Sequence, residues 1–360
     1  MTADESVDSV VSESIPDKID YKWALEQYGK QEKIKLMEMN VDLNLPALEE
    51  TLEKYEKMTD PIVGASSPMT RANNMVIMKY GIAEQKKSIE DLKNSVKAGL
   101  DREAISIRNS LRTLYASKLN IFYNEKNLYF AKKALDIAET FYRIGTQTYT
   151  EVLSARYSYL SAEDALEDAT LAYENNLMSF NRYIGMDLLT EYKDFDLDEE
   201  PMIKNTDHIQ KLADRKFEAI IKEKEYQIEK EQYRKESLES LILIYSHIEK
   251  DILEEVENIE ERIADLEKEL EQLHFYQRRQ LNERAKSIIK AFEAIEESKE
   301  NLAELRKSYD QLYQQYLDND ATYTAVEQKQ LDIIKAQNNL KLQIYDFNTS
   351  YMSYLMDMEN

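Results

Sequence analysis

Cysteine is absent from the 360 residues. Disulfides and thiolate metal sites are therefore excluded, and nothing fixes a redox compartment. Glycine and proline are scarce, at six and five residues, which argues against loop-rich and all-β folds. No proline follows Pro201 and no glycine follows Gly185, so the last part of the chain carries almost none of the usual helix breakers. No apolar run approaches the ~20 residues that a membrane-spanning helix needs. The three histidines, His208, His247 and His274, stand far apart, each without a metal-ligand partner at useful spacing. No glycine-rich phosphate loop is present. No catalytic residue, metal ligand or cofactor is assigned, and the chain is not expected to be an enzyme.

What is present is charge and helical pattern. The formal net charge is −23. It disfavours nucleic acid or an anionic membrane as partner, because phosphate binding needs clustered Lys and Arg, and it favours solubility. The acidic, Ser-rich start, "MTADESVDSVVSESIP", lacks signal-peptide character and fits the start of a mature exported chain with an added Met. Residues 1–18 read as disordered. A helical stretch over about 20–58 starts near Asp20 and holds the only tryptophan, Trp23; Pro46 is expected to bend or interrupt it. "DPIVGASSPMT" (60–70) is a turn. From Thr70 to about Arg143 no proline occurs, which predicts a helix on the order of 110 Å long at 1.5 Å per residue. Gly145 ends it, and a second helix runs from about Thr150 to Ile184. The acidic stretch 188–207 lacks helical periodicity and reads as a linker. Helical pattern resumes near His208 and persists to the end, broken only near Asp318-Asn319-Asp320. A reversal is required between about 235 and 252, with "SHIEKD" (246–251) the preferred place. The chain thus divides into a disordered N-terminus (1–18), a first helical repeat (19–187), a linker (188–207) and a second helical repeat (208–360).

Two patterns specify how the helices pack. Ile252, Val256, Ile259, Ile263, Leu266, Leu270 and Leu273 alternate spacings of four and three, a heptad seam for left-handed coiled-coil packing. Over 150–184, Ala155, Ala162 and Ala169 repeat every seven residues beside Val152, Tyr159, Leu166, Tyr173 and Phe180. Small residues admit a close neighbour, and large ones wedge into the gaps. With Leu153 and Leu160 the apolar face is broad enough for two neighbours, as in a tube wall, although an ordinary four-helix bundle accounts for the same pattern.

The chain also repeats itself. "YRIGTQTYTEVL" (142–153) and "YLDNDATYTAVE" (316–327) lie 174 positions apart. At that offset Tyr142 matches Tyr316, Thr148-Tyr149-Thr150 matches Thr322-Tyr323-Thr324, and Val152 matches Val326. Each half reads as a long helix, a short turn and a shorter helix, exposing apolar surface that another half can cover. Gly145 can take positive φ and stop the incoming helix. Asn319, at the equivalent turn, is the next-best residue for that conformation. Thr148 or Thr150, and Thr322 or Thr324, can cap the outgoing helices.

The run "FYRIGTQTYTEVLSARYSYLSAEDALEDATLAYENNLMSFNRYIGM" resembles the helical repeat of TolC-type outer-membrane efflux proteins. It has an aromatic residue, a glycine turn, a "T…VL…A" run, a leucine–alanine helix, a tyrosine and a closing "L…G". "YLDNDATYTAVEQKQLDIIKAQNNLKLQIYDF" looks like a degenerate second copy. The resemblance covers about 100–186 and 275–356. It implies an all-α protomer of long antiparallel helical hairpins that closes as a homotrimer into a hollow α-barrel. It further implies an export conduit in the cell envelope, on the exported side, fed by an inner-membrane pump through a periplasmic-type adaptor protein. The adaptor-binding tips carried onto this sequence are Ile144, Gly145 and Thr146, and Leu317, Asp318 and Asn319. Glu151 matches an acidic entrance position, whereas its counterpart is Ala325. The family's membrane β-hairpins have no counterpart near 60–70 or 235–252, where four alternating strands of ~9–11 residues cannot be placed. The competing reading is a coiled-coil scaffold or envelope spacer that conducts nothing.

Overall fold

The computed structural model describes residues 16–61, 67–197, 199–242, 244–245 and 249–359. The architecture is all-α, built from long antiparallel helical hairpins. Eight α-helices occur among these residues: α1 (Tyr21–Gly29), α2 (Glu32–Glu56), α3 (Pro68–Val76), α4 (Ile82–Arg143), α5 (Tyr149–Ile184), α6 (Ile209–Ile242), α7 (Glu249–Leu317) and α8 (Tyr323–Glu359). The only strands among the described residues are β1 (Lys18–Ile19) and β2 (Asp194–Phe195), paired in parallel. No described helix is long and apolar enough to cross a membrane. The chain forms two compact units, Met1–Gln31 with Glu103–Asp198, and Glu32–Arg102 with Glu199–Asn360.

Several boundaries differ from the sequence reading. The 20–58 stretch breaks at residues 30–31, and Pro46 lies inside an uninterrupted α2. The Lys30 N–H bonds the Gln27 carbonyl at 3.2 Å and the Gln31 N–H bonds the Tyr28 carbonyl at 3.0 Å, closing α1, while the Gln31 side chain donates to the Tyr183 carbonyl at 2.9 Å. Around Pro46 the helix is largely exposed, so water can take the hydrogen bond that proline cannot make. The long helix begins at Pro68 rather than Thr70, because the Ser67 hydroxyl accepts from the Thr70 N–H and Pro68 occupies the first turn. Between α3 and α4 it widens into one π-helical turn, Ile77–Gly81. A Cβ on Gly81 would lie 3.0 Å from Ile77 and 3.1 Å from Tyr55, so any side chain there requires those neighbours to shift. Residues 1–15, 62–66 and 246–248 lie outside the described residues. They hold most of the N-terminal segment, the centre of the 60–70 turn, and the Ser246-His247-Ile248 part of "SHIEKD". Glu249 and Asp251 belong to the first turn of α7.

In the first unit the core gathers around Ile19, Ile107, Leu111, Leu114 and Leu197, all fully buried. The Tyr192 ring packs edge-on against Trp23 and Phe180 at 5.8 and 5.9 Å. The stretch after α5 is held by Asn181, fully buried. Its amide donates to the Leu188 and Thr190 carbonyls at 3.1 and 2.8 Å and accepts from the Tyr192 hydroxyl at 2.6 Å. Residues 188–195 are non-helical, as their composition indicates; Tyr192 and Phe195 are buried and β2 pairs with β1, while Leu188 and Leu189 stay exposed.

In the second unit, Ile252, Val256 and Ile259 pack against Leu238 and Leu241 of α6 and Ala72 of α3. Each fully buried Ile contributes about 1.5–3 kcal/mol. Burial along the seam fades, and Ile263 to Leu273 are only part-buried. The next buried α7 residue is Leu281, eight positions past Leu273. That step departs from the four–three spacing and rotates the buried stripe. From there Leu281, Ala285, Ile288 and Ile295 pack against Ile209 and Ala213 of α6 and Phe347, Tyr351 and Tyr354 of α8. The buried Asn348 accepts from the Met202 N–H at 2.9 Å and donates to Glu199 and the Glu200 carbonyl.

Replacing Asn181 with Leu keeps the volume but removes these hydrogen bonds from two part-buried carbonyls and the Tyr192 hydroxyl. A loss of about 2 kcal/mol or more is expected in denaturant unfolding, with faster proteolysis between 186 and 195.

Candidate functional site

The candidate site is the pair of hairpin tips, one in each unit. At the first tip α4 ends in the sequence Phe141–Thr146. The Thr146 N–H bonds the Phe141 carbonyl at 2.9 Å, and the Gly145 N–H bonds the Tyr142 carbonyl at 3.0 Å. This is a Schellman closure, which requires a left-handed residue; Gly145 has φ +77°. At the second tip the Asp320 N–H bonds the Gln315 carbonyl at 2.8 Å, and the Asn319 N–H bonds the Tyr316 carbonyl at 3.1 Å. Asn319 has φ +62°, the one positive-φ non-glycine among the described residues. Glycine and asparagine thus occupy corresponding places in one backbone motif.

The outgoing helices are capped alike at their first residues. Of the candidate threonines, Thr148 and Thr322 act. The Thr148 hydroxyl accepts from the Glu151 N–H at 3.4 Å, and the Thr322 hydroxyl accepts from the Ala325 N–H at 3.2 Å. Only the first tip completes a capping box: the Glu151 carboxylate accepts from the Thr148 N–H at 2.7 Å. That hydrogen bond, with the one from the Thr148 hydroxyl, holds the Glu151 carboxyl below its ordinary value of 4.5. Ala325 offers no such group.

A further pair of contacts went unread in the sequence. Tyr142 and Tyr149 meet across the first tip with ring centroids 5.8 Å apart at 52°. Their counterparts Tyr316 and Tyr323 meet across the second at 5.9 Å and 54°. The signal was available in the matched tyrosines, since seven residues with a tight turn between them bring two side chains face to face. Such pairs add about 0.5–1.5 kcal/mol beyond area burial.

Ile144, Gly145 and Thr146 sit together at the first apex with Glu151 one turn into α5, while Leu317, Asp318 and Asn319 form the second apex. Ile144 and Leu317 are exposed, at 64% and 55%. No group of three or more potential metal ligands occurs among the described residues. The tips present a backbone closed by hydrogen bonds and exposed apolar side chains.

The architecture is that of TolC-type outer-membrane efflux channels, and the chain resembles that family in its fold. No family model matches the sequence, and no curated protein matches it. Among solved structures, the outer membrane protein VceC from Vibrio cholerae aligns over 93% of this chain and 95% of its own, with TM-score 0.53 and 11% identity. The CmeC outer membrane channel of Campylobacter jejuni aligns over 94% and 85%, with TM-score 0.53 and 10% identity. CusC, a protein that forms a transmembrane channel, aligns over 97% and 95%, with TM-score 0.50 and 8% identity.

Two tests follow from this geometry. A Cβ at Gly145 meets nothing within 4 Å, so Gly145→Ala isolates the cost of positive φ. About 1 kcal/mol of destabilisation is expected from chemical denaturation, with Gly145→Asn costing clearly less. Because the folded Glu151 carboxyl titrates below 4.5, the capping box contributes above that pH and fades as pH falls through the lowered value. Carboxyl-carbon NMR should find the Glu151 midpoint below 4.5, returning toward it in Thr148→Ala.

Proposed function

We infer that this chain is one protomer of an export conduit in the cell envelope. It acts as a homotrimer whose hairpin tips dock a periplasmic-type adaptor protein and, through it, an inner-membrane pump. The carrying observation is the duplicated tip: two apices with the same left-handed elbow, the same cap and the same tyrosine pair, each presenting an exposed apolar side chain. On a fold shared with outer-membrane channels over nearly its full length, such apices are a natural docking element. Closure with sister copies is supported by α5, where Tyr157, Leu160 and Leu171 are 71%, 45% and 57% exposed. Val152, Ala169 and Phe180 are buried. The helix therefore has apolar surface beyond what its own chain covers, as a tube wall requires.

In this reading the residues that meet the adaptor are Ile144, Gly145, Thr146, Leu317, Asp318 and Asn319, with Glu151 beside the entrance. No catalytic step is part of it. Light scattering with electron microscopy of the purified chain should find three copies around an open axis. Ile144→Asp with Leu317→Asp should lower affinity for the adaptor hairpin at least tenfold with helicity unchanged. A monomer without a lumen, or capture indifferent to both substitutions, favours the scaffold reading instead.

A further inference from the structure

Far from the second tip, the second unit contains a groove between α6, α7, the end of α8 and the start of α4. Its volume is about 620 Å³, within the ~300–1,000 Å³ usual for small-molecule sites. Leu273 lies 44 residues before Leu317 on α7, about 65 Å along the helix. The groove opens at the step in the α7 seam, where Leu273 is the last residue of the four–three pattern and the buried stripe rotates away. The floor is apolar: Leu212 and Ile220 of α6, Leu273 of α7, and Leu355 and Met358 of α8.

The rim has the opposite sign to the rest of the molecule. In a chain of net charge −23, four cations line this groove, Lys87, Arg215, Lys216 and Lys224, against one carboxylate, Glu223. Two are already engaged: Lys87 with Glu223 at 3.0 Å and Lys224 with Glu269 at 2.8 Å. The Lys224 side chain is only 17% exposed. Arg215 and Lys216 have no ion-pair partner among the described residues. Two unpaired cations beside an apolar floor are complementary to an anion with an apolar body.

We propose that this groove binds a long-chain fatty acid, its acyl chain on the Leu212–Ile220–Leu273–Leu355–Met358 floor and its carboxylate at Arg215 and Lys216. The separation of charge and apolar surface selects this chemistry. The cations sit on the rim, while the floor side chains carry no charge. Met358 adds an unbranched, adaptable surface suited to a flexible chain.

The test is calorimetric titration of the full, delipidated chain with palmitate below its aggregation threshold. Saturable binding of one palmitate per chain is expected, at least tenfold weaker in Arg215→Glu/Lys216→Glu and at 500 mM rather than 50 mM salt. Ala219→Trp, a substitution in the groove lining, should also block it, while Lys268→Glu, outside the groove, should not. The uncharged monoglyceride of the same chain should bind at least tenfold more weakly. Absence of saturable binding, or equal binding by the charge-reversed variant, overturns the proposal. So does wild-type protein that binds no palmitate but changes oligomeric state in Arg215→Glu/Lys216→Glu, which would make the groove a contact between copies. Adaptor capture by the tips is a separate measurement, so failure there leaves this result standing.

Discussion

The architecture depends on a backbone constraint: at both tips a long helix is folded back on itself within five residues by a Schellman closure, which needs one residue in the left-handed conformation. Gly145 and Asn319 provide it. Once that residue is set, the two closing hydrogen bonds use N–H and C=O groups that a helix end would otherwise leave orphaned. The direction of the outgoing helix follows. Threonine caps then satisfy N–H groups of the next helix, and the tyrosine pairs tie the two sides together. Without the elbow, α7 and α8 could not lie side by side, and the Ile295–Phe347–Tyr351 core would have no second wall.

Helices of this length have a second problem, which is that each can bury only a stripe. In the second unit α7 changes partners along its length to meet it. It packs on α6 and α3 near Ile252, then on α6 and α8 beyond Leu281. The price of changing partners is a region where the stripe faces neither set fully, around Leu273, and there the groove opens. The non-helical connection is handled by two buried asparagines, Asn181 and Asn348, each satisfying main-chain groups in one unit. A single amide can do this because it both donates and accepts.

Much of this was legible from residue order. The heptad run marked a packing seam on α7 without naming its partner, and the duplicated twelve residues located both elbows. Helix existence and type were readable because breakers are so few. What escaped was decided by tertiary contact or by water. Pro46 does not break α2, since an exposed helix can lose one hydrogen bond to solvent. The actual break at 30–31 depends on Gln31 reaching Tyr183, 152 positions away, and no local pattern encodes that. The π-helical turn before α4 had no local signal that marked it. At the tips, the Gly/Asn equivalence was readable, whereas the choice of Thr148 over Thr150 and of Thr322 over Thr324 needed the backbone. The groove was invisible because its lining comes from four helices spread between Lys87 and Met358.

The two tips also differ, and the difference bears on how a partner could recognise both. The first carries Arg143 and a carboxylate at Glu151 that is tied up in capping. The second carries Asp318 and Asp320 and has Ala325 where the capping carboxylate would be. Their charges therefore do not correspond, while their φ angles, closing bonds and ring pairs do. Exposed ion pairs contribute little and are screened by salt. What the two apices share is backbone shape and an uncovered apolar side chain, and charge is what distinguishes them.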